Sequence, residues 1–585
     1  MGLGGSSVAL ALAAALTWIA AARLAPRPGE AATQGLGAWW RSSPLASRVL
    51  LGAVAGAWLA WTVWLLRYPA LGIDSVAYHL PVVVGWVQGG HPGLIESFLP
   101  GYVGNYPLTN ELVLSWGMGL AHSFVPASLW SPAMLALLLT AGWAALRRLD
   151  VPAPVAVLSL AAVALSPMLT HYQQNGAYTD LPALAWLVAC GLLCLEARTR
   201  PLLLCAAVLA AALAVGSKTT TAPLALVLLG TALLPQRRRL RPVAAPLLAA
   251  GAVALAVGGY WYLRNLVLHG SPLWPFVTAP WGDPVPAVID GLNDAFIEKP
   301  RATIDALGDR YLELFAGGLA LLGGALLAPL VARSRAVIAA AATTLVSLLI
   351  WARAPFTGVT EGLGSIVTIS TLRYLLPTLA VAALTLALAA REGRAGRTWA
   401  YVVLGAAVVL GAVQTFDLGF PSVPSPSTPL AGALLGGALV LALTFARLPA
   451  PALRHPVLLG LPVVAAAALL AIPASGYVSR HAQTSTLFGS DTIRFLAAEA
   501  PFGGDGRPMV MAPVVLGVVA GDRLQHRVSP LDEGAGCRPA RAAIREGWLV
   551  VLQQAEGQLG PGSASRCLSG TRPAFEGRGF HVYGG

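Results

Sequence analysis

The chain has 585 residues, 56% of them hydrophobic and 11% charged. A soluble domain carries about a quarter charged residues, so this composition excludes an ordinary cytosolic enzyme, and its hydrophobicity excludes disorder. The net charge of +12 does not point to nucleic acid, because a mean hydropathy of +0.69 marks a membrane chain, in which charge is read loop by loop.

Apolar runs of about 20 residues suit a bilayer crossing, and about 14 runs approach that length. In chain order they cover 6–24, 49–67, 126–146, 152–169, 181–196, 201–216, 220–235, 243–261, 312–332, 336–352, 373–390, 399–416, 430–446 and 456–473. The first is not a secretory signal. Met1 to Ser7 is uncharged and its basic residues, Arg23 and Arg27, follow the apolar run, the reverse of a signal's order. It therefore reads as a span with its N-terminus outside. With that parity the cytoplasmic loops hold 19 arginines against four acids (Glu30, Asp150, Glu196, Glu392), and the opposite face before residue 474 holds 8 basic and 13 acidic residues. The positive-inside rule then fits every loop. The expectation is a multi-pass protein of the cytoplasmic (inner) membrane.

The outer loops are long at 68–125 and 262–311, where function concentrates. In the first, Val76 to Val87 has apolar residues at helical spacing and is expected to lie along the bilayer surface. After residue 474 short apolar runs appear at Met509–Ala512, Val514–Ala520, Leu549–Leu552 and Phe580–Tyr583, with helix-like stretches at Asp491–Ala500 and Arg538–Gly547. The predicted architecture is an all-α polytopic membrane domain, 1–473, followed by a small extracytoplasmic α/β domain, 474–585. Cys537 and Cys567 fall in the latter, where either a disulfide or two free thiols are compatible with the compartment. Cys190, Cys194 and Cys205 read as packing residues.

Ionisable groups at a membrane are costly and need a reason. The outer face gathers them in Asp74-Ser75-Val76-Ala77-Tyr78-His79-Leu80-Pro81, then Tyr106-Pro107-Leu108-Thr109-Asn110-Glu111-Leu112, then Tyr178-Thr179-Asp180. Lys218, one of two lysines in the chain, follows in Gly216-Ser217-Lys218-Thr219. Tyr262-Leu263-Arg264-Asn265 with Gly270-Ser271-Pro272, and Arg373-Tyr374-Leu375-Leu376-Pro377, complete the set.

Apart from the Lys218 stretch, these segments, in this order over most of residues 68–380, resemble the spaced motifs of bacterial GT-C glycosyltransferases, the superfamily that includes protein O-mannosyltransferases and lipid A aminoarabinose transferases. The chain departs from the mannosyltransferases in having Asp74-Ser75 where they have an acidic pair. The resemblance implies a hexosyl- or pentosyltransferase of the inverting kind. Its partners would be a polyprenyl-phosphate-linked sugar, a glycan, lipid or protein acceptor, and membrane lipids. It implies Asp74 as general base for the acceptor hydroxyl; the residue also suits a helix N-cap. Arg264, Arg373 and Lys218 would hold the leaving phosphate, although arginines at span ends also snorkel. Asp180, Tyr78, His79, Glu111, Tyr262 and Asn265 are the candidate acceptor or sugar contacts, with helix capping open for Asp180 and Glu111. A metal set of His79, Glu111 and His171 can be drawn, but no spacing demands it, and no metal or other cofactor is expected. Walker A, GxSxG and HExxH patterns are absent. The rival reading is a transporter or flippase of lipid-linked saccharides. It would place charges at the midplane and show two related halves, whereas here the ionisable groups gather at one face.

Overall fold

The structure is a computed structural model that describes residues 6–24, 43–67, 74–92, 103–171, 177–236, 240–291, 294–359, 368–417, 427–445, 490–499, 508–512, 517–531, 537–553, 568, 570–577 and 580–584. The apolar runs fold as helices. They are α1 (Ser7–Leu24), α2 (Leu45–Arg67), α3 (Leu80–Gly89), α4 (Thr109–Ala121), α5 (Val125–Arg148), α6 (Ala153–Ala164), α7 (Asp180–Glu196), α8 (Leu203–Ser217) and α9 (Ala222–Gln236). Then come α10 (Ala244–Ala254) and α11 (Tyr260–His269), joined by a π-helical turn, followed by α12 (Pro300–Val331), α13 (Arg335–Arg353), α14 (Leu376–Ala389), α15 (Arg394–Asp417) and α16 (Ser427–Phe445). Among the described residues eight helical stretches are long and apolar enough to cross a membrane by length and composition. The run at 456–473 lies outside the described residues. The chain is a multi-pass, all-α membrane protein with a small C-terminal sheet.

Two features position the site. The first is α14, whose Leu376, Leu379, Ala382, Leu386 and Ala387 are fully buried in the centre of the bundle. A helix apolar on all sides belongs inside. The second is the seam between α2 and α16. Gly52 and Gly56 face Gly432 and Gly436, and a Cβ added at Gly56 would lie 2.1 Å from the Gly432 carbonyl oxygen. Lipid offers no hydrophobic drive between helices, so such close backbone approach supplies the contact.

Two outer segments are more ordered than their composition suggests. The segment 262–311 is helical at both ends, α11 running on to His269 and α12 beginning at Pro300. Charged residues hid that first part of α12, where Arg310 pairs with Glu313 at 2.7 Å. And α3 is covered by protein. Leu80, Val82, Val83, Val84, Trp86 and Val87 are buried, packed with α4 and the C-terminal domain.

That domain holds α17 (Ser490–Glu499), α18 (Cys537–Arg545) and strands β1 (Met509–Ala512), β2 (Val528–Pro530), β3 (Leu549–Gln553), β4 (Phe575–Glu576) and β5 (Phe580–Tyr583). The order is β2-β1-β3-β5-β4. β1 is parallel to β2 and β3, with Val510 opposite Ser529 and Val550. β5 is antiparallel to β3 and β4. Gly517–Ala520 is a 3-10 turn where a strand was expected. The boundary at 474 and Cys567 lie outside the described residues, as does the Cys537–Cys567 pairing.

The domain is docked on α3. Gln88 donates Nε2–H bonds to the carbonyls of Leu524 (3.1 Å) and His526 (2.6 Å), and its Oε1 accepts from the Val528 amide (3.3 Å). A Cβ at Gly517 would lie 2.8 Å from the Pro81 nitrogen, closer than such atoms pack. Gly517→Val is therefore expected to lift the domain off α3 while the sheet stays folded. Limited trypsin digestion should release a C-terminal fragment several-fold faster than from wild type, and an unchanged rate would contradict this docking.

Candidate active site

Asp74 precedes a π-helical turn, Ser75–His79. A π turn is wider than an α turn, and such turns recur at functional sites. It turns Asp74, Tyr78 and His79 toward one side. The next pin is Ser75, whose Oγ accepts from the Ala177 amide at 3.0 Å, and Asn110 Nδ2 donates to the Ala177 carbonyl at 3.3 Å. Three motifs, far apart in sequence, are thereby tied together, and α7 then starts at Asp180. α8 ends at Lys218, which adopts an extended conformation (φ −157°, ψ 123°). Arg373 sits in the 3-10 turn Thr371–Leu375 that leads into α14.

These four residues form one chain of charge. Arg373 donates from Nη2 to Asp74 Oδ2 at 2.5 Å, and its Nε lies 3.7 Å from Asp180 Oδ2. Lys218 Nζ lies 2.5 Å from Asp180 Oδ1. Aromatic faces enclose the cations. The Arg373 guanidinium lies 5.0 Å from the Tyr178 ring and 5.7 Å from that of Tyr374, and Lys218 Nζ lies 4.4 Å from Tyr374. Rings so placed attract cations through their quadrupole.

The geometry decides between the paired readings of several residues. Asp74 makes no side-chain cap bond to the turn that follows it. Nor is Arg373 a snorkelling residue, since it is buried and turned toward two carboxylates. Arg264 stands apart. Its Nη2 donates to the Gly104 carbonyl at 2.8 Å and to the side-chain oxygens of Asn105 (3.3 Å) and Asn265 (3.1 Å). Asn265 Nδ2 donates to the carbonyls of Asn105 (2.7 Å) and Trp274 (2.9 Å). Arg264 and Asn265 thus fasten the loop bearing Asn105 to the end of α11. Tyr262 belongs nearer the centre. Its hydroxyl donates to the Val215 carbonyl at 2.8 Å and lies 3.0 Å from Thr219 Oγ1, which steadies the turn carrying Lys218.

His79 Nδ1 is in contact with Glu111 Oε1, both side chains being buried. The His79 ring leans on Tyr78, with centroids 4.0 Å apart. Glu111 thereby orients His79 beside Asp74. Among the described residues no three His, Cys, Asp or Glu side chains are arranged to hold a metal. Tyr178 and Tyr374 lie inside the quoted motifs yet carried no assignment from sequence, because an aromatic beside a charge looks the same whether it packs in a core or covers a cation.

Two opposed effects act on Asp74. Burial raises its carboxyl pKa. The Arg373 guanidinium, with His79 and Lys218, overturns that and holds it below the ordinary carboxylate value. Asp74 is therefore ionised at neutral pH. Burial, then the Asp74 charge, push the Tyr78 phenol well above its ordinary value, so Tyr78 stays a neutral hydroxyl. The arrangement sets two cations, Arg373 and Lys218, among two carboxylates, Asp74 and Asp180, which suits an anionic ligand that competes for the cations and a hydroxyl that must lose a proton.

No protein-family model matches the chain, and no curated protein matches it. Two solved structures are similar to it. ArnT from Cupriavidus metallidurans bound to undecaprenyl phosphate is 16% identical, with 91% of this chain and 96% of that one covered and a TM-score of 0.48. ArnT from Cupriavidus metallidurans in the apo state is 18% identical over the same shares, with a TM-score of 0.45.

Proposed function

We propose that this chain is an inverting glycosyltransferase that moves a sugar from a polyprenyl-phosphate donor to an acceptor hydroxyl at the outer face of the cytoplasmic membrane. The observation that carries the reading is Arg373, which joins Asp74 and Asp180 while Lys218 closes the row from the other side. Each of the four comes from a different stretch of the chain, and Asp74, Asp180 and Arg373 come from segments that resemble GT-C motifs. The charge asymmetry of the loops supports an extracytoplasmic placement of this face.

In the reaction the acceptor oxygen attacks the anomeric carbon as the bond from that carbon to the phosphate oxygen breaks. The bonding electron pair leaves with the polyprenyl phosphate, and the hydroxyl proton passes to Asp74. Arg373 and Lys218 stabilise the charge that grows on the leaving phosphate. Asp180 holds both cations in place. Tyr78, as a neutral hydroxyl, and His79, oriented by Glu111, are placed to contact the sugar or acceptor.

The test is Asp74→Asn. Loss of a general base typically costs about 10²–10⁴ in rate. The variant should insert and purify as wild type does, yet transfer sugar at a rate lower by that order. Transfer is measured in liposomes with a panel of undecaprenyl-phosphate-linked hexoses and pentoses. Wild-type rates in the variant would remove Asp74 from the chemistry.

A further inference from the structure

We infer that the donor phosphate and Asp74 compete for Arg373, so that Asp74 becomes a competent proton acceptor only once the donor is bound. The inference rests on the reading above and adds an order of events to it.

Exposure decides which carboxylate yields. The Asp74 side chain is 23% exposed and that of Asp180 is 3% exposed. Asp180 is also held from behind by Lys218. An anion reaching Arg373, itself 8% exposed, meets a guanidinium whose Nη2 already donates to Asp74. Phosphate takes guanidinium best through two parallel N–H bonds, and two anions at one N–H edge repel each other. Asp74 is the group that can move aside, since its helix-capping position makes no side-chain cap bond.

The consequence follows from the forces on Asp74. The groups that face it are Arg373 from the turn before α14, Tyr78 and His79 from its own turn, and Lys218 from the end of α8. Asp180 lies beyond Arg373. Burial raises the proton affinity of Asp74, and Arg373 is the strongest of the charges that lower it. Once the phosphate takes Arg373, that opposition weakens and the affinity rises. A base works best when its pKa lies near the operating pH. In the resting protein Asp74 is a stable counter-ion and a poor base; beside a bound donor it can take the acceptor's proton.

A linkage follows. A group whose pKa rises on ligand binding takes up protons when the ligand binds, over the window between its free and bound values. The free value of Asp74 lies below the carboxylate norm, and losing Arg373 to the phosphate raises it, so in a titration from about pH 8 down to about pH 5.5 affinity should tighten as pH falls, by at most tenfold per unit.

The probe is the methyl diester of undecaprenyl phosphate, which has no titrating group in that range, bound to the purified full chain in detergent. Calorimetry in two buffers of different ionisation enthalpy counts the protons. Wild type should take up a fraction of a proton that grows as pH falls, with several-fold tighter binding at the acid end. Asp74→Asn should bind with no such uptake and no such slope. It should also bind more tightly than wild type at about pH 8, where Asp74 is an ionised competitor. Diester binding without proton uptake by wild type would overturn the competition and leave the donor reading standing. Equal uptake in Asp74→Asn would overturn it too, by placing the proton elsewhere. Failure of wild type to bind the diester at any pH would sink the donor reading and this inference together.

Discussion

Arg373→Ala is expected to abolish sugar transfer and to destabilise the fold in one stroke. The side chain neutralises two carboxylates from different motifs, and its removal leaves Asp74 and Asp180 with only Lys218, on the other side of Asp180, to offset their charge. Breaking a buried pair by deleting one partner costs about 3–5 kcal/mol, because the remaining charge is uncompensated. The same deletion removes the donor edge proposed to meet the leaving phosphate, which by analogy with single donors to developing oxyanions is worth about 10²–10³ in rate. Arg373→Lys separates the two effects. A lysine keeps the charge and so much of the stability, but a point charge cannot reach both carboxylates or grip a phosphate in parallel. Thermal unfolding of purified protein should rank wild type above the lysine variant and the lysine variant above the alanine one, with transfer strongly impaired in both. An alanine variant that melts and turns over like wild type would refute the arrangement.

The second large effect is expected at the α2–α16 seam. A Cβ at Gly432 would lie 2.4 Å from both the Gly56 carbonyl oxygen and the Ala60 Cβ. No rotamer relieves a clash with backbone, so Gly432→Ala must push the two helices apart. Gly437, next in the same stretch of α16, is an internal control, because a Cβ there meets the nearest atom, Val49 Cγ1, at 3.5 Å, an ordinary contact. Overpacking typically costs about 1–3 kcal/mol. Gly432→Ala should lower the melting temperature and the monodisperse yield, and Gly437→Ala should leave both within error. Equal behaviour of the two variants would show that the seam does not bear weight. Transfer should fall with Gly432→Ala as well, since α2 ends at Arg67, shortly before Asp74 in the sequence.

The membrane helices were legible because a span needs little more than length and low polarity. The cover over α3 is legible for a related reason. Val82, Val83 and Val84 stand in a row, and such a run has no polar face to turn to water. It marks a helix covered on all sides, where an interfacial helix keeps one polar face. β2 and β4, of three and two residues, are too short to show a period. In the site, residue types and their order along the chain named Asp74, Asp180, Lys218 and Arg373. The pairing of Asp74 with Arg373, 299 residues apart, is a tertiary fact that no local pattern encodes. Arg264 shows the cost of that limit. An arginine near the end of a span reads alike whether it meets a ligand or a neighbouring loop, and here it meets Gly104 and Asn105.

Gln88 binds the C-terminal sheet at one end of α3, and the turn carrying Asp74 leads into the other. A ten-residue helix is a rod of about 15 Å, too short to bend and absorb a displacement. The docking of the C-terminal domain and the placement of Asp74 therefore share one short length of backbone, as a tiller and a rudder share one post.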